Sequence, residues 1–140
     1  MDIEKCLEEG YLVKEKADEK LITKEIEESK YDFQKAKDAF EAEDYKWAII
    51  KCYYSMFHAA KAVCFRAGYR EKRHFAVLIV LEDLNKKGKL EIRFVNDFNA
   101  AMSLREGADY RYAYSKERAE NSLRMAEEFN VRMFELLKKL

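Results

Sequence analysis

Between residues 44 and 67 the chain carries a segment whose apolar side chains leave almost no polar face. Trp47, Ile49, Ile50, Tyr53, Tyr54, Met56, Phe57, Ala60, Val63 and Cys64 surround nearly the whole circumference of a helix. A helix that is apolar all round must be covered on every side, so this segment predicts a central helix wrapped by others. Gly68 follows it as a stop signal. The remainder of the chain suits that role. There is no proline, only four glycines, and 39% of residues are charged. A β-rich protein of this size needs more turn residues, so an all-α fold is expected. At 140 residues the chain predicts one domain over its full length, enough to bury roughly two-thirds of its unfolded surface.

Further helices follow from three- and four-residue spacing. The first expected helix, residues 2–18, is sparse in apolar residues and interrupted by Gly10. The second, residues 23–42, has Thr23 in N-cap position and places Ile26, Phe33, Ala36 and Phe40 on one face. The fourth, 73–87, closes with Lys86 and Lys87 before Gly88, which puts cations at the negative end of the helix dipole. Its core, Phe75 to Leu81, reads equally as a buried strand by composition; helix is expected because no partner strand is visible. The fifth, 90–106, ends near Gly107. The sixth opens at Ser115 and runs to the end through Ala119, Leu123, Ala126, Phe129, Met133, Leu137 and Leu140. This gives an up-and-down bundle of five to six helices.

No apolar run reaches the roughly 20 residues that span a bilayer. The start, Met1-Asp2-Ile3-Glu4, does not read as a signal peptide, and a cytoplasmic protein is expected. Cys6, Cys52 and Cys64 form no CxxC or metal-type cluster. They read as buried, reduced thiols, and with only two histidines no metal site or cofactor is expected. The net charge of zero conceals an asymmetry. Residues 1–45 carry 15 acidic against 8 basic side chains, and residues 46–140 carry 12 against 19. The two parts could match within the fold, match between subunits, or give a basic face for phosphate.

One apolar stripe ends on a charge. Phe94, Phe98, Ala101 and Arg105 recur at four, three and four residues, which places a guanidinium at the end of a buried helix face. Such a charge is expensive to desolvate without a partner. Asp109 and the tyrosines Tyr110, Tyr112 and Tyr114 are the nearest candidates. An Arg–Asp clamp closing a helix–turn–helix corner is one reading and a functional site is the other. On the central helix, Lys51, Ser55, His58 and Lys61 form the only polar stripe. It reads as a solvent-facing strip with His58 at its edge, or as a phosphate-accepting strip beside Arg105. His74 follows the basic run Arg70-Glu71-Lys72-Arg73. It reads as an exposed or capping histidine, or as part of an anion site at a helix start.

The order of these pieces resembles a known family. The run Tyr53-Tyr54-Ser55-Met56-Phe57-His58-Ala59-Ala60-Lys61-Ala62 comes first, then His74, then Arg105 with Ala108-Asp109-Tyr110. Last comes a final helix that starts Ser115-Lys116-Glu117-Arg118-Ala119 and carries Ala126-Glu127-Glu128-Phe129. Over roughly residues 20–135 this is similar to the HEPN family (higher eukaryotes and prokaryotes nucleotide-binding), particularly its small stand-alone prokaryotic members. The resemblance implies a helical bundle that works as a homodimer, and for many relatives a small nucleotidyltransferase as partner in a two-gene, often toxin–antitoxin, system. Active relatives are metal-independent ribonucleases whose signature is Arg, four to six residues, then His, with sites from two subunits facing one cleft. Arg stabilises charge developing on phosphate, and His moves protons near neutral pH.

This chain departs from that signature. Arg105 is present, but Tyr110 stands where the histidine belongs, and a phenol with an ordinary pKa near 10 is a poor base at neutral pH. A substitute would have to be His58 or His74, brought in by folding. In some toxin-like relatives the partner adds nucleotide to a tyrosine two residues beyond the histidine, and the equivalent here is Tyr112. The resemblance therefore implies a nucleotide- or RNA-associated module, non-catalytic, dimeric and paired with a nucleotidyltransferase. Arg105, Asp109, Arg111, Lys51, His58 and His74 are its candidate phosphate contacts and Tyr112 its modification site. The alternatives are a ribonuclease toxin using Arg105 and Tyr110 with His58 or His74 as base, and a purely structural helical dimer.

Overall fold

The computed structural model describes residues 1–140. Six helices and one two-stranded sheet follow one another as α1 (Ile3–Glu8), β1 (Leu12–Lys14), α2 (Glu19–Glu41), α3 (Tyr45–Arg66), β2 (Tyr69–Glu71), α4 (Phe75–Lys86), α5 (Ile92–Tyr110) and α6 (Lys116–Leu137). The fold is an all-α bundle, with α3 at its centre. Fourteen residues of α3 are buried, including Tyr53, Met56, Phe57 and Val63. It packs against α2, α6, α5 and α4, so the all-round apolar sequence is matched by all-round cover. The segment from Phe75 is helical, and the strand alternative for it does not apply.

Starts of the helices follow side-chain chemistry. Asp44 accepts from the Trp47 amide at 3.3 Å to cap α3, and Ser115 accepts from the Arg118 amide at 3.1 Å to cap α6. For α2 the cap is Asp18, which accepts from the Lys20 amide at 2.9 Å. The expected cap, Thr23, lies one turn inside the helix. Both residue types cap well, and Asp18 is the one whose backbone is extended, with φ −119° and ψ 112°.

The first expected helix is the larger correction. Only Ile3–Glu8 is helical; the chain turns at Gly10, and Leu12–Lys14 pairs antiparallel with Tyr69–Glu71 in the register Leu12↔Glu71, Val13↔Arg70 and Lys14↔Tyr69. Two three-residue strands are too short to carry a period-two signal. Gly68, with φ +93°, ends α3 and turns the chain into β2.

Gly107 has a different role from the one its position suggests. It does not end α5, which continues to Tyr110. A β-carbon on Gly107 would lie 3.6 Å from the Ala113 β-carbon, in ordinary contact, because the returning chain folds back against it. The stop falls later: the Gly107 carbonyl accepts from both Arg111 and Ala113 amides, and Tyr112 takes the left-handed conformation with φ +54°.

Two devices lock the helices around α3. Phe98 of α5 stacks on Phe129 of α6 at a centroid separation of 5.6 Å and meets Tyr53 of α3 at a tilt, at 6.0 Å. On the other side, Ser29 of α2 and Ser55 of α3 exchange hydrogen bonds with each other's carbonyls at 2.8 and 2.7 Å, and Asn130 of α6 donates to the Ser55 hydroxyl at 2.9 Å. Cys6, Cys52 and Cys64 are buried and unbridged. Burial pushes the thiols of Cys52 and Cys64 up to about 12, so they remain protonated and inert.

The charge asymmetry is partly an internal match. Acids of the first part pair with bases of the second at Glu19–Arg66, Glu25–Lys61 and Glu15–Arg70. No helix is long and apolar enough to cross a membrane.

Candidate functional site

The apolar stripe of α5 delivers Arg105 to the outer edge of α3. Its guanidinium carbon lies 5.1 Å from the centroid of the Tyr53 ring and 5.9 Å from that of Tyr54, within cation–π range. One carboxylate, Asp109, reaches it at 3.5 Å. That pair lies one turn apart on a single helix, so it does not clamp the corner between two helices. Tyr110, Tyr112 and Tyr114 do not partner the arginine: they are 72%, 79% and 44% exposed. The rings that do are Tyr53 and Tyr54, twins in the sequence on the neighbouring helix. Burial pushes the Tyr53 phenol up to about 12 against the opposing pull of Arg105, so it is neutral at physiological pH. The half-buried Arg105 remains short of acceptors, since its Nε is buried without a hydrogen-bond partner.

His74 lies on the same aromatic floor. Tyr53 and Phe57, one turn apart on α3, stack at 6.1 Å, and the His74 ring stacks on Phe57 at 4.2 Å with an interplanar angle of 27°. One face of the imidazole is thus covered while the residue stays exposed on the other. It occupies the N-cap position of α4 but makes no capping hydrogen bond with its side chain. Loss of solvent on the covered face, then the positive charges of Arg105, Lys61 and His58, hold its pKa below the ordinary histidine value.

His58 is placed quite differently. Its Nδ1 is 2.6 Å from Glu25 and its Nε2 is 3.6 Å from Asp32, both on α2. Burial works against ionisation of Glu25, but the His58 hydrogen bond and Lys61 outweigh it and bring the carboxyl below its usual range. At Asp32 burial prevails over His58 and Lys51, and the carboxyl is raised. The stripe Lys51, Ser55, His58 and Lys61 is therefore not a solvent-facing strip. Ser55 is fully buried, and the stripe is the seam where α3 meets acidic residues of α2. An anion would meet two carboxylates beside His58.

The structure thus sets Arg105, with Asp109 beside it, over Tyr53 and His74 over Phe57, on adjacent buried rings of α3, with the charge of Arg105 felt at His74. Lys51 and His58 face α2, and Tyr110, Arg111 and Tyr112 project from the end of α5. Tyr110, in the place of the signature histidine, points no base back at Arg105. The aromatic floor and the acids opposite His58 escaped sequence reasoning because both are contacts between helices.

A bundle built round an apolar central helix, with an arginine ending the buried face of its neighbour, is an architecture that suits one known family. The HEPN domain family matches residues 22–135, and the chain belongs to that family. Among curated proteins it is similar to one from Methanocaldococcus jannaschii named "Putative toxin MJ0142", with 28% identity over 90 residues, covering 64% of this chain and 61% of that protein. The chain therefore spans less than two-thirds of that relative's length.

Proposed function

We propose that this chain is a non-catalytic, nucleotide- or RNA-associated HEPN module, dimeric and paired with a small nucleotidyltransferase in a two-gene system of toxin–antitoxin type. The observation that carries the ligand is Arg105. It has five donors and, among charged acceptors, a single carboxylate oxygen at 3.5 Å. A phosphate group supplies the acceptors it lacks. The toxin name of the archaeal relative supports the two-gene reading. The dimer is supported by the exposed Tyr110 and Tyr114 beyond Arg105, a residue type enriched where proteins meet.

The test is binding of a short single-stranded RNA and of 5′-AMP, with protein that is expected to sediment as a dimer. Arg105→Ala is expected to weaken binding by about tenfold or more, the scale of one charge-assisted contact to phosphate, with the helical circular dichroism unchanged. No RNA cleavage above that of the Arg105→Ala protein is expected, with or without EDTA. Cleavage that depends on Arg105 would establish the ribonuclease reading instead. Equal binding by both proteins would remove Arg105 from the site.

Tyr112 is the proposed modification site. The residue is 79% exposed, with Arg111 beside it, which suits a phenol that must reach the triphosphate of a second protein's substrate. Co-expression with a nucleotidyltransferase encoded alongside is expected to add an AMP-type mass to the peptide carrying Tyr112. Persistence of that mass in Tyr112→Phe would place the modification elsewhere.

A further inference from the structure

Residues 1–21 lie outside the family match, yet they grip the segment that carries His74. The Tyr11 carbonyl accepts from the Lys72 amide at 2.8 Å, and the Tyr11 ring packs edge-on against Phe75 at 5.2 Å. One residue thus holds the chain on both sides of Arg73-His74. Just before it, β1 pairs with β2 through Leu12↔Glu71. The result is an imidazole laid flat on Phe57, one helical turn along α3 from the ring that carries Arg105.

We propose that Arg105 and His74 together take one phosphate group, from a nucleotide or from an RNA strand, and that Tyr11 is the positioning residue for His74. The proposal rests on the phosphate-binding reading above and adds the residue that stands in for the histidine displaced by Tyr110. Arg105 supplies the fixed charge. The exposed imidazole supplies an N–H from its edge, with no carboxylate of the kind that occupies His58. The groups whose charges reach His74 are Arg105 from α5 and Lys61 and His58 from α3, all positive or able to become so. They oppose protonation of the free imidazole, and an incoming phosphate offsets that repulsion. Ligand binding and protonation of His74 should therefore reinforce each other.

The experiment follows the two imidazole Hε1 resonances of the full-length protein by NMR across pH, assigned with His58→Gln and His74→Gln. Free His74 should titrate below the ordinary histidine range and move upward in Arg105→Gln. Both 5′-AMP and a short single-stranded RNA are used as probes. The one that binds should shift the His74 resonance and raise its midpoint, and comparison of the two shows which source of phosphate the site takes. His74→Gln should weaken binding roughly tenfold, as for loss of one charge-assisted hydrogen bond. Arg105→Gln combined with His74→Gln should lose less than the two losses multiplied, because they share one ligand group. Tyr11→Ala should return the His74 midpoint toward normal and weaken binding, and Tyr11→Phe should restore both. Arg105-dependent binding that leaves the His74 resonance unmoved would overturn this inference and spare the parent reading. Failure of the wild type to bind either probe would overturn both. A normal His74 response in Tyr11→Ala would remove Tyr11 from its positioning role.

Discussion

Phe129→Ala is expected to lose about 3–5 kcal/mol of stability, the range for truncating a buried aromatic residue. Phe129 is fully buried, and its ring stacks on Phe98, which in turn meets Tyr53. The truncation leaves a cavity between α5 and α6, within the buried core. A domain of this size has only about 5–15 kcal/mol to lose, so the variant should unfold well below the wild type in a thermal or urea titration. Phe129→Leu should lose much less, since it keeps most of the volume. The aromatic chain runs on to Tyr53, beneath Arg105, so the variant should also show a looser site in the ligand titrations. A loss below about 1 kcal/mol, typical of a surface position, would show that the Phe98–Phe129 stack does not hold the two helices together.

Ser55→Ala should have the second largest effect, about 2–4 kcal/mol, even though the substitution removes a single oxygen. The Ser55 hydroxyl donates to the Ser29 carbonyl and accepts from Asn130, all within a buried seam. Without it the Asn130 amide is left dry and unpaired, which costs about 1–3 kcal/mol, and the donated bond is lost as well. The test that separates this cause from simple loss of volume is the double variant Ser55→Ala, Asn130→Leu. It removes both partners, and it should recover a large part of what Ser55→Ala alone loses. Additive losses in denaturant titrations would mean that the three residues do not act as one network.

That network also shows where sequence reasoning reached its limit. The spacing of Phe94, Phe98, Ala101 and Arg105 was enough to identify the buried face of α5, because a helix imposes that period on its own residues. The all-round apolar character of α3 and the cap at Ser115 were legible for the same reason: each is decided within a few consecutive positions. Ser55 was not, because a serine on a polar stripe reads as wet until a second serine and an asparagine arrive from helices remote in sequence. The same holds for Arg105. Its place at the end of the stripe follows from spacing, whereas its ring partners, Tyr53 and Tyr54, come from a helix remote in sequence. Gly107 misled because its type suits a helix stop, while its position answers to the close return of Ala113. The strand pair was hidden because neither half exceeds three residues and neither is stable alone.

The pairing of Leu12 with Glu71 has a kinetic consequence. The whole of α2 and α3 lies between these residues, so the two strands can meet only after a long loop has closed. The α2–α3 hairpin, joined by a short turn, has no such delay. Strand pairing should therefore be a late event in folding, and the Lys72 and Glu15 amides that it protects should be among the early ones to exchange with solvent when the native state opens locally. A ligand that engages His74 would close that opening, so that occupancy at one end of the molecule registers as slowed exchange in its first fifteen residues.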